Sequence, residues 1–99
     1  MTPEGRVKVK VRKVLKDLGL YYFSPTTGGY GYSGVPDIVI CAKGHFIAVE
    51  CKAGRGKLTE LQRAQLKRIK EAGGLAFVVT DKNVHLFNAF LTRLLIEIT

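Results

Sequence analysis

The sequence is poor in acidic side chains and has no long apolar segment. Its 99 residues contain 8 Asp and Glu against 16 Lys and Arg, which gives a formal net charge of +8. Such a basic chain favours a polyanionic partner, with nucleic acid ahead of an anionic membrane surface. No apolar run approaches the roughly 18 residues of a membrane span, and residues 1–10 lack a signal-peptide core. We therefore expect an intracellular, cytoplasmic protein with no membrane partner.

Cysteine is scarce, and the motifs that bind zinc through it are missing. The two cysteines, Cys41 and Cys51, form no CxxC pair, and no paired-histidine spacing accompanies them. Both fall inside predicted strands, so in a reducing compartment we interpret them as small buried hydrophobic residues and not as a disulfide. The glycine-rich segment 26–34 lacks the GK[ST] of a phosphate-binding loop, which argues against nucleoside triphosphate binding.

One compact domain spanning residues 1–99 is predicted from the length and the 46% hydrophobic content. A helix is favoured from Thr2, which fits an N-cap, to Gly19, which can end it. Valines at 7, 9 and 11 alternate with lysines as they would in a strand, but the helical spacing continues to Leu18. After this first helix, strands are predicted at 20–23, 37–41, 46–52 and 75–80. Two more helices are predicted at 59–72 and 84–98. This order predicts a mixed α/β sandwich.

Two carboxylates and one ammonium are expected to meet at one end of the predicted sheet. Residues 42–45 (AKGH) join two apolar strands as a hairpin, so the start of the first strand lies beside the end of the second. Asp37 begins the first strand. Glu50 and Lys52 share one face at the end of the second, because alternate strand residues point the same way. The three side chains are therefore predicted to converge.

Paired carboxylates beside a lysine suit phosphodiester hydrolysis. Hard cations such as Mg²⁺ bind through one or two carboxylates and keep several waters. They polarise phosphoryl oxygens and generate or orient a hydroxide nucleophile, and an adjacent ammonium can stabilise the developing negative charge. The alternative is that Asp37 and Glu50 are ordinary strand-end residues, with Lys52 as their salt-bridge partner.

The order of four short motifs resembles a known nuclease family. The motifs are GVPD at 34–37, ECK at 50–52, LTELQ at 58–62 and AGG at 72–74. Together they are similar to the VRR-NUC (virus-type replication-repair nuclease) branch of the PD-(D/E)xK superfamily. The resemblance covers the chain from the first helix to about residue 80. It implies a restriction-endonuclease-like fold, a three-layer α/β/α sandwich with a mixed central sheet.

The resemblance also implies a role for each motif residue. Asp37 and Glu50 would bind Mg²⁺ or Mn²⁺ together with the backbone carbonyl of Cys51. Lys52 would be the catalytic lysine, and Gln62 matches a helix glutamine that lies near the family's site and takes part in catalysis. These assignments are expectations that follow from the family pattern and not from spacing alone.

Two of the implied site residues have a second interpretation. Glu4 matches an acidic residue of the first helix that lies near the metal in many relatives, but an acid at a helix N-terminus is favourable in itself. Gln62 follows Thr59 by three residues, which is the pattern of a capping box. The two interpretations of Gln62 are compatible with each other.

Basic and aromatic residues near the predicted site are candidates for DNA contact. Arg55 and Lys57 lie in the turn after Lys52, where phosphate contact is favoured. Tyr30 and Tyr32 in the glycine-rich loop are suited either to stacking on bases or to packing over the sheet edge. Five further basic residues are interpreted as a solvated face of the first helix: Lys8, Lys10, Arg12, Lys13 and Lys16.

We expect a metal-dependent endonuclease that acts on branched DNA such as Holliday junctions. Stand-alone members of the family branch resemble Holliday-junction resolvases, which work as homodimers, and a two-fold partner would double the basic surface. The last predicted helix is apolar on more than one side, so we expect an interface that includes Phe90, Leu94 or Leu95. The alternative for this helix is that all of it folds back into the core of a monomer. The alternatives are a nicking or restriction-type endonuclease on simpler DNA, and a noncatalytic nucleic-acid-binding module.

Overall fold

The fold is an α/β sandwich, as the sequence predicts. The computed structural model describes residues 1–25 and 33–97, so Tyr30, Tyr32 and the end of the last predicted helix lie outside the described residues. The elements in chain order are α1 (Pro3–Asp17), β1 (Tyr21–Phe23), β2 (Ile38–Ala42), β3 (His45–Cys51), α2 (Glu60–Glu71), β4 (Leu75–Val79) and α3 (Val84–Glu97). No helix in these ranges is long and apolar enough to cross a membrane.

The strands form one mixed sheet in the order β1-β2-β3-β4. The first three strands are antiparallel, and β4 runs parallel to β3 after the α2 crossover. The predicted hairpin between β2 and β3 is confirmed: Ala42 pairs with His45 across a two-residue turn. Lys43 (φ 51°) and Gly44 (φ 83°) both lie in the left-handed region, as a type I′ turn requires.

The helical interpretation of the first segment is confirmed. The Thr2 hydroxyl accepts a hydrogen bond from the Gly5 N–H at 3.0 Å and caps α1. Val7, Val11 and Leu15 are buried on one face of the helix, at the three- to four-residue spacing of a core stripe. Val9, which a strand would have placed beside Val7 and Val11, is exposed.

Three layers follow from the alternation of side chains along β3. Ile47, Val49 and Cys51 point into the main core, which α1 and α3 complete. Ala48 and Glu50 therefore point to the opposite face, where α2 contacts β3 and β4. Glu50, a carboxylate in a central strand, is thereby buried under α2 and not exposed at a strand end.

Helix α2 leaves part of its sheet face open. Tyr21 pairs with Cys41 and Cys41 with Phe46, so these residues and Phe23 share that face. The three aromatic side chains are between 48% and 70% exposed. The prediction that Cys41 is buried is therefore wrong, because α2 covers only the β3–β4 half of the sheet. We call this surface the open sheet face.

Candidate active site

Asp37 lies beside Glu50 because of the hairpin register. Ile38 pairs with Val49, so the residue before Ile38 comes opposite the residue after Val49. The Asp37 Oδ2 atom accepts a hydrogen bond from the Cys51 N–H at 2.8 Å. In a strand the N–H and C=O of one residue point to the same neighbour, so the Cys51 carbonyl also faces the Asp37 side.

Glu50 carries a buried oxygen that accepts no hydrogen bond from the part of the chain that the structure describes. Its side chain is 2% exposed, and Oε1 accepts a hydrogen bond from Gln62 Nε2 at 3.2 Å. Among the described residues, nothing donates to Oε2, which is also buried. Burial of an unsatisfied carboxylate oxygen is costly. A bound cation would satisfy that oxygen, so the residues present fit a metal.

Gln62 serves two purposes with one amide. Its side-chain Oε1 accepts the Thr59 backbone N–H at 3.0 Å, and the Gln62 backbone N–H donates to the Thr59 hydroxyl at 3.1 Å. This is the predicted capping box, and it begins α2. The amide nitrogen remains free to donate to Glu50. The capping-box interpretation is confirmed, and Gln62 also lies beside Glu50, whereas its part in catalysis stays a prediction.

Gly34 brings the segment before Asp37 against the start of α2. A β-carbon on Gly34 would lie 2.6 Å from the Leu61 carbonyl carbon and 2.8 Å from the Gln62 nitrogen. Its φ of +78° is also a conformation that side chains disfavour. The GVPD segment thus packs directly on the turn that carries Gln62, and this contact helps to set Asp37 relative to Gln62.

Lys52 holds a nearly buried ammonium next to the carboxylates. Its side chain is 11% exposed, and Nζ lies 3.9 Å from Glu4 Oε1. Its backbone N–H donates to Val79 at 3.0 Å, which extends the β3–β4 pairing. Glu4 is therefore both an acid in the first turn of α1 and a neighbour of Lys52. The structure thus brings together the four predicted site side chains and Glu4. The four are Asp37, Glu50, Lys52 and Gln62.

Lys8 also lies in this cluster of Asp37, Glu50, Lys52, Gln62 and Glu4, although the interpretation from the sequence places it on a solvated helix face. Its ammonium lies 3.4 Å from Asp37 Oδ1 and 3.8 Å from Glu4 Oε2. That interpretation is wrong for Lys8 because α1 turns this residue toward the hairpin. The four-residue spacing from Glu4 was the available signal, since residues at that spacing share a helix face.

Two carboxylates are the acidic metal ligands that the described part of the site offers. Within residues 1–25 and 33–97, no three His, Cys, Asp or Glu side chains are grouped so that they could hold a metal by themselves. Asp37 and Glu50 match the one or two carboxylates through which Mg²⁺ is usually bound, with water in the remaining positions. The donor set fits a hydrated hard cation better than zinc.

Burial controls the protonation of Glu50. Loss of solvent raises its pKa from 4.5 to about 8. A hydrogen bond that the protonated form can make to Asp37 and the repulsion between the two carboxylates add to this rise, whereas Lys52 opposes it. Burial likewise raises the pKa of the Cys51 thiol to about 12. Cys51 therefore stays protonated and contributes backbone groups, not a thiolate.

The metal-free protein is expected to lose stability as the pH rises from 4.5 to about 8. Folded Glu50 keeps its proton up to a pKa of about 8, whereas unfolded Glu50 loses it near 4.5. Protonation therefore favours the folded state fully below pH 4.5, and this contribution disappears as pH rises through 8. Glu50→Gln should remove this slope and raise the stability at pH 8 by about 4 kcal/mol at most, since each unit of pKa shift corresponds to about 1.4 kcal/mol.

Urea unfolding of the metal-free protein at several pH values measures this effect. Asp17→Asn is a matched control, because Asp17 is an exposed acid paired with Lys13 on the surface of α1. Parallel stability curves for wild type and Glu50→Gln would show that Glu50 does not carry the shifted pKa.

The two basic candidates for DNA contact lie on the surface beside the site. Arg55 and Lys57 are exposed in the segment that connects Lys52 to α2. The same segment folds back through a Gly56–Ala53 backbone hydrogen bond of 2.9 Å. Their contact with phosphate stays a prediction.

Comparison with models of known protein families and with curated protein sequences gives no match to this chain. Membership of the VRR-NUC branch therefore stays a prediction that rests on the four motifs. The geometry adds that Asp37, Glu50 and Lys52, which those motifs supply, are neighbours in space.

Proposed function

We propose that the protein is a metal-dependent endonuclease of the VRR-NUC type that hydrolyses DNA phosphodiester bonds. The observation that carries the proposal is the buried Oε2 atom of Glu50 beside Asp37, which has no hydrogen-bond partner among the described residues, with the ammonium of Lys52 in the same cluster. A buried Glu50 oxygen that accepts no hydrogen bond from the described residues, next to a second carboxylate, is costly unless a metal ion or a proton occupies it. A noncatalytic module would not need this arrangement.

Asp37, Glu50 and the Cys51 carbonyl would hold Mg²⁺ or Mn²⁺. The metal would supply Lewis-acid polarisation of the phosphoryl oxygen and a more acidic water. Gln62 fixes the orientation of Glu50 through the 3.2 Å hydrogen bond, and the Cys51 N–H fixes that of Asp37. These contacts preorganise both carboxylates before any ligand arrives.

Lys52 acts on the charge that develops at the phosphate. In a nearly buried position its ammonium is screened little by water, so it stabilises the pentacovalent oxyanion more strongly than a surface lysine would. It can also donate a hydrogen bond that orients the attacking water. Glu4, 3.9 Å away, holds the ammonium toward the carboxylates.

The net charge of +8 supports DNA as the substrate. Phosphate contacts made by Lys and Arg release condensed counterions, so binding should weaken steeply with salt. Arg55 and Lys57 border the site. Further exposed basic residues lie on α2, and they would extend the same surface: Arg63, Lys67, Arg68 and Lys70.

Branched DNA is the proposed substrate class, with Holliday junctions first. A comparison of duplex, flap, splayed-arm and four-way substrates in Mg²⁺ tests it. Preferential cleavage at the four-way junction is expected. Equal cleavage of plain duplex would instead favour the nicking or restriction-type alternative.

A homodimer is proposed to assemble through α3. Phe87 and Leu91 face the core, whereas Leu86 and Phe90 are exposed beside the edge strand β4. Phe90 packs on Phe77 with ring centroids 5.0 Å apart, so it forms a firm apolar surface there. Leu94 and Leu95 are half-buried, and a two-fold partner would cover the part of these side chains that is exposed to solvent.

Phe90→Glu should weaken this dimer about tenfold or more, because a charge would have to be buried at the centre of the interface. Light scattering at micromolar concentration measures the mass, and a thermal melt confirms folding. Phe46→Glu on the open sheet face is the matched control, since Phe46 is similarly exposed. If Phe46→Glu dissociates the dimer and Phe90→Glu does not, the interface lies on the open sheet face and not on α3. A wild-type monomer that persists on junction DNA would contradict the dimer.

A further inference from the structure

We infer that Lys8 is a displaceable cation of the active site: it neutralises Asp37 in the metal-free protein and is released toward the substrate phosphate when a divalent cation binds. The inference rests on the proposed metal-dependent nuclease. It assigns to α1 a second cationic residue that works beside Lys52.

The environment of Lys8 differs from that of an ordinary helix-surface lysine. Its side chain is 30% exposed, compared with 75% for Lys13 on the same helix. Lys13 pairs with an acid one turn along α1, whereas Lys8 reaches across to Asp37, which precedes β2. This ion pair between separate elements places the ammonium at the site in the metal-free protein.

The Lys8 ammonium contacts the Asp37 oxygen that a metal would need. Asp37 Oδ2 already accepts the Cys51 N–H at 2.8 Å. Oδ1 is therefore the more available oxygen, and Lys8 Nζ lies 3.4 Å from it. A divalent cation at Oδ1 would repel the ammonium at this range. The metal and Lys8 must consequently compete for one carboxylate.

Lysine is suited to such an exchange. Its charge is compact and sits on a flexible four-carbon stem, so the ammonium can move by several ångströms while the backbone stays in place. Glu4 Oε2, 3.8 Å from Nζ, gives the ammonium a second partner at the rim of the site. From that rim a displaced Lys8 is available to a phosphate that approaches the metal.

The Lys8→Met variant separates this role from a structural one. Met preserves much of the side-chain length but has no charge. Loss of the competing cation should raise the affinity of the full chain for Mn²⁺ about fivefold, the typical effect of one partly exposed ion pair. The same variant should unfold at a lower temperature without metal and should bind DNA more weakly in Ca²⁺. If Lys8 only supported the fold, Lys8→Met would lower the affinity for Mn²⁺ and not raise it.

Calorimetric titration with Mn²⁺ tests the inference, with Lys10→Met as the matched control. Lys10 is exposed on the same helix, so Lys10→Met should leave the Mn²⁺ affinity unchanged. Lys8→Arg should keep the Mn²⁺ affinity within about twofold of wild type, since the charge remains. A Lys8→Met affinity equal to or below that of wild type would overturn the inference while leaving the nuclease proposal intact. Failure of the wild type to bind Mn²⁺ at all would overturn both.

Discussion

Lys52→Met is expected to abolish DNA cleavage and to leave the fold and most DNA binding intact. Loss of a donor that acts on the transition state typically costs about a hundredfold or more in rate. The side chain is 11% exposed, and methionine fills nearly the same space without the charge. The substitution should therefore remove chemistry without opening a cavity.

Single-turnover cleavage at saturating enzyme measures this effect free of DNA affinity. Lys13→Met is the control, because Lys13 is an exposed lysine that contacts only Asp17 among the ion pairs of the described residues. A Lys52→Met rate within a few-fold of the Lys13→Met rate would remove Lys52 from the reaction.

The second large effect is expected from Asp37→Asn. The amide preserves the shape of Asp37 but lacks its charge, so metal affinity should fall by about tenfold or more, with cleavage lost at physiological Mg²⁺. The wild type should cleave in Mg²⁺ or Mn²⁺, and Ca²⁺ should bind without supporting turnover. Metal binding should also strengthen with pH, since Glu50 must give up its proton to the solvent.

Calorimetric titration of wild type and Asp37→Asn with Mn²⁺ provides the measurement. Asp17→Asn again serves as the control, because it removes a carboxylate distant in sequence from the motif. Equal Mn²⁺ affinity for wild type and Asp37→Asn would exclude Asp37 as a ligand, and the site would then need other donors.

The convergence of Asp37, Glu50 and Lys52 could be predicted because it follows from local rules. The two-residue turn fixes the hairpin register, and the two-residue period of a strand fixes which side chains share a face. The capping box of α2 is local in the same sense. In contrast, the second hydrogen bond of Gln62, to Glu50, depends on how α2 packs across β3, which no local pattern specifies.

Lys8 and Cys41 show where sequence patterns are insufficient. Lys8 belongs to a run of alternating basic residues, and its ion pair with Asp37 depends on where α1 packs relative to β2. Cys41 lies in a buried-looking strand, but its exposure is decided by α2, which stops short of β2. Both outcomes depend on how a helix packs on the sheet, and the local sequence of one helix or strand does not specify this packing.

Cleavage of a labelled four-way junction in Mg²⁺ tests the central claim most directly. Wild type, Lys52→Met and Lys13→Met are compared, with EDTA as the metal-free condition. Cleavage by wild type and Lys13→Met, but neither by Lys52→Met nor in EDTA, is the predicted result. Binding of the junction without any cleavage in Mg²⁺ or Mn²⁺ would contradict it, and the protein would then be a nucleic-acid-binding module with structural acids.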